Sequence, residues 1–539
     1  MDFLKKHLAF LVLLTAGLFL AYALNWIQDD SYISLVYARN LAQGHGLTWG
    51  GEAIQGFSNP LWVFLCALGF LLPVEIHLFL LLLQLVVFAL LLTAIYALGL
   101  MLFEKRFLAL LPVALHLVNF SALKYSSGGL ETSLQTLFFV GLVFLLEKFR
   151  RTGRQEYAAA FSVLCFLAAI THPTSGLFVI VAAAMLLAAA SRKKRLRQTV
   201  KSMIPGMALS AAWLVFAASY FGSVLPNTFV AKMGAGTHYE VGLRQIGLFL
   251  GHYGYFWILL LGLAGLWAQR PPSWFNLLLG LVLTWFGVIV AIGGDFMEFR
   301  ILIPVLPLLH ILITRLLGQI PPIRFVPFPA VSLIVLAVMG CFSWHHAHNF
   351  RNIFADQTID GFSTLATFYY AYPDEDFSAV GSALKDYFAP RKPLVATTGA
   401  GAIPFFSGFP TIDSWGLNDR WVARHGVEVP PDFKRPGHRR RAPLSYLIQR
   451  HTDLVVEHPL IVGNERWLTY REDIINWLGL TPGFLEWQKT HDVVLVRIPV
   501  GPDRQVVVWL LNEELLQRET MTWILFRDLW SSRAEQGAS

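Results

Sequence analysis

Two adjacent carboxylates, Asp29 and Asp30, follow the first long apolar stretch of the chain. Ionised groups at the edge of a bilayer are costly unless they are solvated or paired, so this pair favours a water-filled cavity at that edge. A carboxylate in such a cavity can take the proton from an attacking hydroxyl. Because neighbouring residues of a helix point about 100° apart, at most one of the two is the base. The alternative is that the pair only ends the first span in water.

Two further acids precede or follow apolar segments. Glu131 comes after a Gly-Gly pair, which indicates a re-entrant turn, a feature tolerated at membrane depth only inside protein or beside a water-filled cavity. Asp295 stands five residues before Arg300 and could form a purely structural bridge with it. An oxygen-rich set of carboxylates, Asp29 and Asp30 included, could hold Mg²⁺, Mn²⁺ or Ca²⁺, although no strict ligand spacing is present.

The composition requires a bilayer around much of the chain. Of 539 residues, 55% are hydrophobic and only 14% are charged, and the mean hydropathy is +0.54. Soluble chains carry about 25% charged residues, so a polytopic membrane protein is predicted. The net charge of +7 does not indicate nucleic-acid binding, because most basic residues lie in short loops between apolar spans. The three cysteines lie in or beside apolar segments, which excludes a disulfide framework or a CxxC metal site.

A span needs about 20 apolar residues, and by that measure the sequence contains eleven candidates, of which the third, fourth and fifth are short and could be tilted, re-entrant or continued by less apolar turns. They cover residues 8–24, 78–103, 107–120, 133–147, 157–171, 175–190, 202–221, 250–268, 274–292, 301–317 and 325–343. One alternating set of loops, including 192–201, holds most of the Lys and Arg, which predicts a cytoplasmic N-terminus. The first span also resembles a signal peptide, but an uncleaved anchor is expected.

The two parts of the chain differ in pattern. Residues 1–344 form the predicted transmembrane domain, with a first outer-face loop at 25–60. In that loop, Ile33, Val36 and Tyr37 follow helical spacing, which predicts a short amphipathic helix at the membrane surface with its polar face toward water. Residues 345–539 alternate short β-rich runs with polar and helical stretches, which predicts an extracytoplasmic α/β domain.

An ordered set of motifs in the chain resembles the GT-C glycosyltransferases of the arabinofuranosyltransferase B type, whose members use decaprenyl-phosphoryl-arabinose. The motifs are DDSYIS (29–34), YARNL (37–41), GHG (44–46), GFSNPLW (56–62), GLET (129–132), YFGSVLPNT (220–228), GDFM (294–297) with Arg300, GAGAIP (399–404) and DSWGLND (413–419). The resemblance implies a GT-C-like fold with about 11 transmembrane helices in the bacterial inner membrane and a periplasmic C-terminal domain. It also implies inverting transfer of a sugar from a polyprenyl-phosphate donor to a hydroxyl of a cell-envelope glycan or glycolipid.

The resemblance suggests a role for each candidate side chain. Asp29 or Asp30 would be the catalytic base, with the other orienting a substrate or binding a divalent cation. The donor phosphate and the remaining substrate groups would be bound by Arg39, Glu131, His172, Lys232, Asp295, Arg300, Asp413, Asn418 and Asp419. The polar group at 413–420, flanked by Trp415 and Trp421, suits sugar rings but equally suits docking of the outer domain. Judged alone, Lys232 and Arg300 also fit interfacial anchors, and His172 fits a structural residue.

Two departures leave the donor and acceptor open. Gln55 stands where a glutamate is expected, and His172 stands where the family more often has arginine, which replaces a permanent cation with a group that titrates near neutral pH. The basic run 434–441 could meet anionic lipid or an acidic polymer such as lipopolysaccharide, or be a solvated loop. The rival functions are a lipid or sugar transporter, for which no repeat symmetry is visible, and a non-catalytic assembly factor of the flagellar-motor type.

Overall fold

The computed structural model describes residues 2–232, 238–266, 271–318, 328–349, 377–430, 435–517 and 519–530. The helices up to residue 349 are α1 Asp2–Ala23, α2 Asp29–Ala42, α3 Pro60–Phe70, α4 Ile76–Leu102, α5 Arg106–Val118, α6 Phe120–Ser126, α7 Thr132–Thr152, α8 Gln155–Thr171, α9 Ser175–Arg192, α10 Leu196–Ser202, α11 Ile204–Phe221, α12 Asn227–Lys232, α13 Tyr239–His252, α14 Tyr255–Leu266, α15 Ser273–Ile292, a 3₁₀ turn Arg300–Val305 leading into α16 Leu306–Leu317, and α17 Phe328–Asn349.

Within the described ranges, eight helical segments are long and apolar enough to cross a membrane, and the bent pair α5 and α6 would make nine. The predicted span 157–171 coincides with α8, and the predicted span 250–268 overlaps α14. The start of the second prediction was wrong, because residues 250–252 belong to α13 and the chain turns at Gly254, which has a left-handed φ of 69°. The prediction of a polytopic α-helical protein is confirmed.

The chain is bent ahead of Glu131, as either a broken span or a re-entrant loop, so the predicted re-entrant turn stays a prediction. Helices α5 and α6 meet at 78°, and the Asn119 side chain accepts a hydrogen bond from the Ala122 N–H at 2.8 Å, which caps α6. The indole of Trp26 donates to the Lys124 carbonyl at 2.8 Å, so α6 lies beside the segment that follows α1. Residues 121–136 are buried, as required for irregular backbone at this depth.

Helix α2 was predicted correctly as a helix, and its position at the membrane surface stays a prediction, but the expectation that its polar face is solvated was wrong. Its residues from Ser31 to Ala38 are all buried. The outer domain covers the helix: Tyr32 packs on Phe405, and the Tyr37 hydroxyl donates to Asn418 Oδ1 at 3.1 Å. The sequence pattern could not reveal this because the covering residues lie more than 360 positions away.

The C-terminal part is an α/β domain, as predicted. Its helices are α18 Phe377–Phe388, α19 Ala402–Ser407, α20 Arg420–His425, α21 Leu444–Gln449, α22 Arg471–Gly479 and α23 Phe484–Trp487, and its strands are β1 Val395–Thr397, β2 Thr411–Asp413, β3 Val427–Glu428, β4 Arg440–Arg441, β5 Leu454–Val462, β6 Val494–Gly501, β7 Arg504–Leu510 and β8 Thr522–Leu525. Six strands form one sheet in the order β2-β1-β5-β7-β6-β8, and β3 pairs with β4 in a separate hairpin.

The sheet directs one edge toward the first loop. Strands β2, β1 and β5 are parallel, so Thr397 and Asp413 at the carboxyl ends of β1 and β2 lie side by side with Glu457 in the middle of the longer β5. Apolar side chains of the first loop, such as Trp49 and Phe57, share one buried cluster with apolar side chains of the outer domain. The predicted domain boundary at 344/345 falls inside α17, and residues 350–376 lie outside the described ranges, so the boundary stays a prediction.

We expect Tyr37→Phe to lower the stability of the folded protein. The Tyr37 hydroxyl is fully buried, donates to Asn418 and accepts from the Gly56 N–H at 3.2 Å, so its removal leaves two buried polar groups without a partner. Such a loss costs about 1–3 kcal/mol. Thermal unfolding of the detergent-purified protein measures it, with Tyr387→Phe in the outer domain as the control; equal melting temperatures for both variants and the wild type would contradict the assignment.

Candidate active site

A small, partly open cavity of about 50 Å³ lies where the first loop, the segment before α7, α12 and the 3₁₀ turn meet the outer domain. It brings together four of the predicted site residues from segments far apart in the sequence. Its lining consists of Asp30, Ile33, Ser34, Gly56, Phe57, Ser58, Asn59, Leu130, Glu131, Thr228, Lys232, Arg300 and Leu417. The water-filled cavity predicted beside the first acid pair therefore has a counterpart in the structure.

Asp30 is the member of the acid pair that faces this cavity. Asp30, Ile33 and Ser34 follow the i, i+3, i+4 spacing of one helix face, and all three line it. Burial raises the pKa of the Asp30 carboxyl above its ordinary value, and the nearby cations Lys232 and Arg300 oppose that rise. A carboxylate with a raised pKa beside a cavity is suited to general-base chemistry.

Asp29 points elsewhere and ties the first loop to the outer domain. Its carboxylate accepts hydrogen bonds from the backbone N–H of Gly401 at 3.2 Å and of Ala402 at 2.7 Å, where β1 turns into α19. Burial raises the pKa of Asp29 to about 7 in spite of these donors. The expected divergence of the two carboxylates is thus observed, and their neighbours differ completely.

The acids and bases around the cavity are held by a hydrogen-bond network. Arg300 contacts Asp295 Oδ2 through both Nε and Nη2 at 2.9 Å, which is the predicted bridge. The Asn59 side chain donates to Glu131 Oε2 at 2.7 Å and accepts from the Ser34 hydroxyl at 3.1 Å. Asn59 is a residue that sequence reasoning missed as a site residue, although it stands inside the GFSNPLW motif.

His172 lies near the two cations but carries no charge of its own. It follows the last residue of α8, and its Nδ1 lies 2.7 Å from the Thr174 hydroxyl. Burial, with smaller contributions from Arg300 and Lys232, holds the pKa of His172 well below its ordinary value. A neutral imidazole can contribute one hydrogen bond to a phosphate but does not replace the permanent charge of an arginine.

The remaining predicted binding residues do not line this cavity. Arg39 donates to the Phe405 carbonyl at 2.9 Å, stacks on the Phe405 ring, and lines a separate cavity on another face of α2. Asp413 accepts from the Trp415 and Asn418 N–H groups at 2.9 Å. Asp419 accepts from the Val422 N–H and the Tyr446 hydroxyl, both at 2.9 Å. The Arg39 contact joins α2 to the outer domain and fits the docking alternative, whereas the contacts of Asp413 and Asp419 lie within the outer domain. A role of these residues in substrate binding stays a prediction.

The expectation of a metal ion at Asp29 and Asp30 finds little support in the side-chain arrangement. The two carboxylates have different neighbours, and across the described residues no three His, Cys, Asp or Glu side chains converge on one point. The residues therefore do not form a protein-only metal cage, and no chemical step below is assigned to a metal.

Comparison with solved structures identifies the fold. The chain superimposes on ArnT from Cupriavidus metallidurans, both in the apo state and bound to undecaprenyl phosphate, with a TM-score of 0.54 in each case, 13% and 12% identity, and coverage of 94% of this chain and 98% of ArnT. The predicted class, a membrane glycosyltransferase with the GT-C fold, is confirmed by this likeness together with the sequence relatives.

The sequence relatives agree with the resemblance seen in the motifs. The chain is 26% identical to the terminal β-(1→2)-arabinofuranosyltransferase of Corynebacterium glutamicum over 90% of this chain and 80% of the relative. It is 26% identical to the enzyme of the same name from Mycobacterium tuberculosis over 52% of this chain and 50% of that relative. Residues 367–520 match a family model described as a domain of unknown function, DUF8728.

We expect Gly401→Ala to weaken docking of the outer domain. A Cβ at Gly401 would lie 1.9 Å from the Asp29 carbonyl oxygen, so the β1–α19 turn would have to move away from the first loop. Overpacking of this kind costs about 1–3 kcal/mol. Gly479→Ala is the matched control, because a Cβ there meets no atom within 4 Å. Limited proteolysis and thermal unfolding measure the effect, and identical behaviour of the two variants would show that the turn tolerates a side chain.

Proposed function

We propose that this protein is an inverting glycosyltransferase that moves a sugar from a polyprenyl-phosphate donor to a hydroxyl of a cell-envelope glycan or glycolipid. The observation that carries the proposal is a cavity lined by the carboxylates Asp30 and Glu131 together with the cations Lys232 and Arg300. It begins at the end of the first membrane span, where a lipid-linked sugar presents its phosphate while its tail stays in hydrocarbon. The bound undecaprenyl phosphate in ArnT, which has a similar fold, supports a lipid phosphate as ligand.

In this proposal the reaction is a single displacement, in which the acceptor hydroxyl replaces the lipid phosphate on the anomeric carbon. Asp30 takes the proton from the acceptor hydroxyl, whose oxygen attacks the anomeric carbon as the bond between that carbon and the phosphate oxygen breaks. The lipid phosphate leaves with one more negative charge than it had in the donor, and Lys232 and Arg300 stabilise that charge. Attack opposite the leaving phosphate inverts the anomeric configuration. The relatives named as arabinofuranosyltransferases make arabinofuranose the first sugar to assay.

The proposed topology follows from the same placement. The loops rich in Lys and Arg would lie in the cytoplasm together with the N-terminus, and the cavity and the C-terminal domain would lie in the periplasm of a bacterial inner membrane. The cavity and the outer domain meet at the same end of the helix bundle, which is consistent with action at the outer face. An assembly factor without activity would have no need of a base and two cations around one cavity.

We expect Asp30→Asn to lower transfer by about 10²–10⁴-fold, because the amide cannot accept the proton. Asp29→Asn should retain much more activity and lower stability instead, since Asp29 bonds to the outer-domain backbone. The assay follows release of lipid phosphate from a synthetic polyprenyl-phosphoryl-arabinose in detergent. Full turnover by Asp30→Asn, or complete loss only in a well-folded Asp29→Asn, would refute the assignment of the base.

We expect kcat/KM to fall on the acid side as Asp30 becomes protonated, with a midpoint above the ordinary carboxyl pKa because burial raises the pKa of Asp30. Lys232 opposes that rise, so Lys232→Gln should raise the pKa further and move the acid limb to higher pH. The exposed Lys385 of the outer domain provides the control variant, Lys385→Gln, which should leave the limb in place. The midpoint of the acid limb is obtained by measuring kcat/KM between about pH 4 and 9, a range that brackets carboxyl and histidine titration. An unchanged limb in Lys232→Gln would count against Asp30 as the titrating base.

A further inference from the structure

The described part of the basic run of the outer domain packs beside the proposed active site, against Lys232 and Phe296. Lys434 is outside the described residues, but residues 435–441 are described. A turn from Arg435 to His438 is closed by the His438 N–H donating to the Arg435 carbonyl at 3.4 Å, with Gly437 at a left-handed φ of 80°. This turn faces the helix bundle.

Two contacts place the turn beside the cavity. A Cβ at Gly437 would lie 3.4 Å from Lys232 Cε, so the side chain of Lys232 runs along the backbone of the turn. The Arg435 guanidinium stacks on the ring of Phe296, 5.3 Å from its centroid, and Phe296 follows Asp295, the partner of Arg300. Arg435 also lies within electrostatic reach of Asp30, whose pKa it lowers. The turn thus touches the surroundings of both cations already assigned to the site.

The turn is anchored firmly enough to hold this position. The His438 ring packs edge-on between Phe296 and Trp415, at centroid distances of 5.1 and 4.7 Å. Arg441, at the end of the segment, stacks on Trp415 and lies 3.3 Å from the buried Glu457 carboxylate. The Val429 N–H donates to the Arg439 carbonyl at 3.0 Å in the β3–β4 hairpin. The position of Arg435 is therefore set by the outer-domain core.

Without Arg435, the side chains around the cavity carry too little positive charge to balance a phosphate. Three acidic side chains, Asp30, Glu131 and Asp295, surround two basic ones, Lys232 and Arg300, with Arg300 already paired to Asp295. A phosphate monoester carries between about −1.5 and −2 charges near pH 7. The leaving lipid phosphate would thus add negative charge to a site in which acids already outnumber bases. An arginine adds a permanent positive charge and offers paired N–H donors in one plane, so it is suited to bind this phosphate.

We propose that Arg435, held beside the cavity by the 435–438 turn, is a third phosphate-binding cation, so that the outer domain completes the donor site. The inference rests on the proposed function and adds a residue from the second domain to it. The nascent lipid phosphate is more negative than the donor, so the guanidinium acts mainly on the departing group. Loss of the residue should affect binding of free lipid phosphate and kcat more than binding of the donor.

Binding of undecaprenyl phosphate to the detergent-purified full chain tests the proposal. Because charged hydrogen bonds to phosphate are strong, Arg435→Gln should weaken this binding about tenfold or more, and Arg435→Lys should restore part of it. Arg440→Gln is the matched control: it removes the same charge from the same segment, but Arg440 bonds to the Ala423 carbonyl and to Glu428, and its affinity should stay within about twofold of the wild type.

A charge-rescue measurement guards against an effect on folding. Arg435→Cys modified with 2-aminoethyl methanethiosulfonate should regain affinity, whereas modification with the negative 2-sulfonatoethyl reagent should not; the wild type, with its own three cysteines, is treated in parallel. Wild-type affinity in Arg435→Gln, equal losses in Arg435→Gln and Arg440→Gln, or rescue by both reagents would overturn the role of Arg435 and leave the proposed function standing. Failure of the wild type to bind undecaprenyl phosphate would overturn both.

Discussion

The contact between the Asp29 carboxylate and the backbone of Gly401 and Ala402 connects the two parts of the protein at the point where the chemistry is proposed. A buried carboxylate needs donors, and here the outer domain supplies two N–H groups from a β-to-α turn that no side chain could enter. This contact presses the carboxyl edge of the parallel strands against α2. Because Asp29 and Asp30 are neighbours on one helix, anchoring the first determines where the second points, and the second faces the cavity.

Burial of the lining side chains gives the cavity its electrostatic properties. The outer domain covers α2 and brings Leu417 and the 435–438 turn against the cavity and its cations, so charges there interact in a medium far less polarisable than water. The same burial raises the pKa of Asp30, and the nearby cations limit the rise. A domain that docks loosely would admit water and weaken all of these interactions together, which is why the docking contacts and the chemistry cannot be considered separately.

Much of this arrangement was visible in local patterns. The position of Asp29 and Asp30 after the first span, the bend before Glu131, the Asp295–Arg300 pair and the α/β character of the last part each depend on residues close together in sequence. What the local patterns missed has a common cause, which is burial by segments distant in the sequence. The polar face of α2 was expected to face water, whereas Ser31 to Ala38 are buried and the outer domain packs on Tyr32. The basic run at 434–441 was left open between anionic lipid, an acidic polymer and a solvated loop, and its described part lies against Lys232 and Phe296.

The sequence by itself determined the membrane character, most of the spans, and the presence of acids at the ends of those spans, because apolar length and local spacing are properties of short segments. Only the tertiary structure decided which of two adjacent carboxylates faces the cavity, which cations accompany it, and which polar residues join the outer domain to α2. Those choices depend on groups more than 100 residues apart, and a carboxylate acquires its role from the donors and charges that folding brings to it.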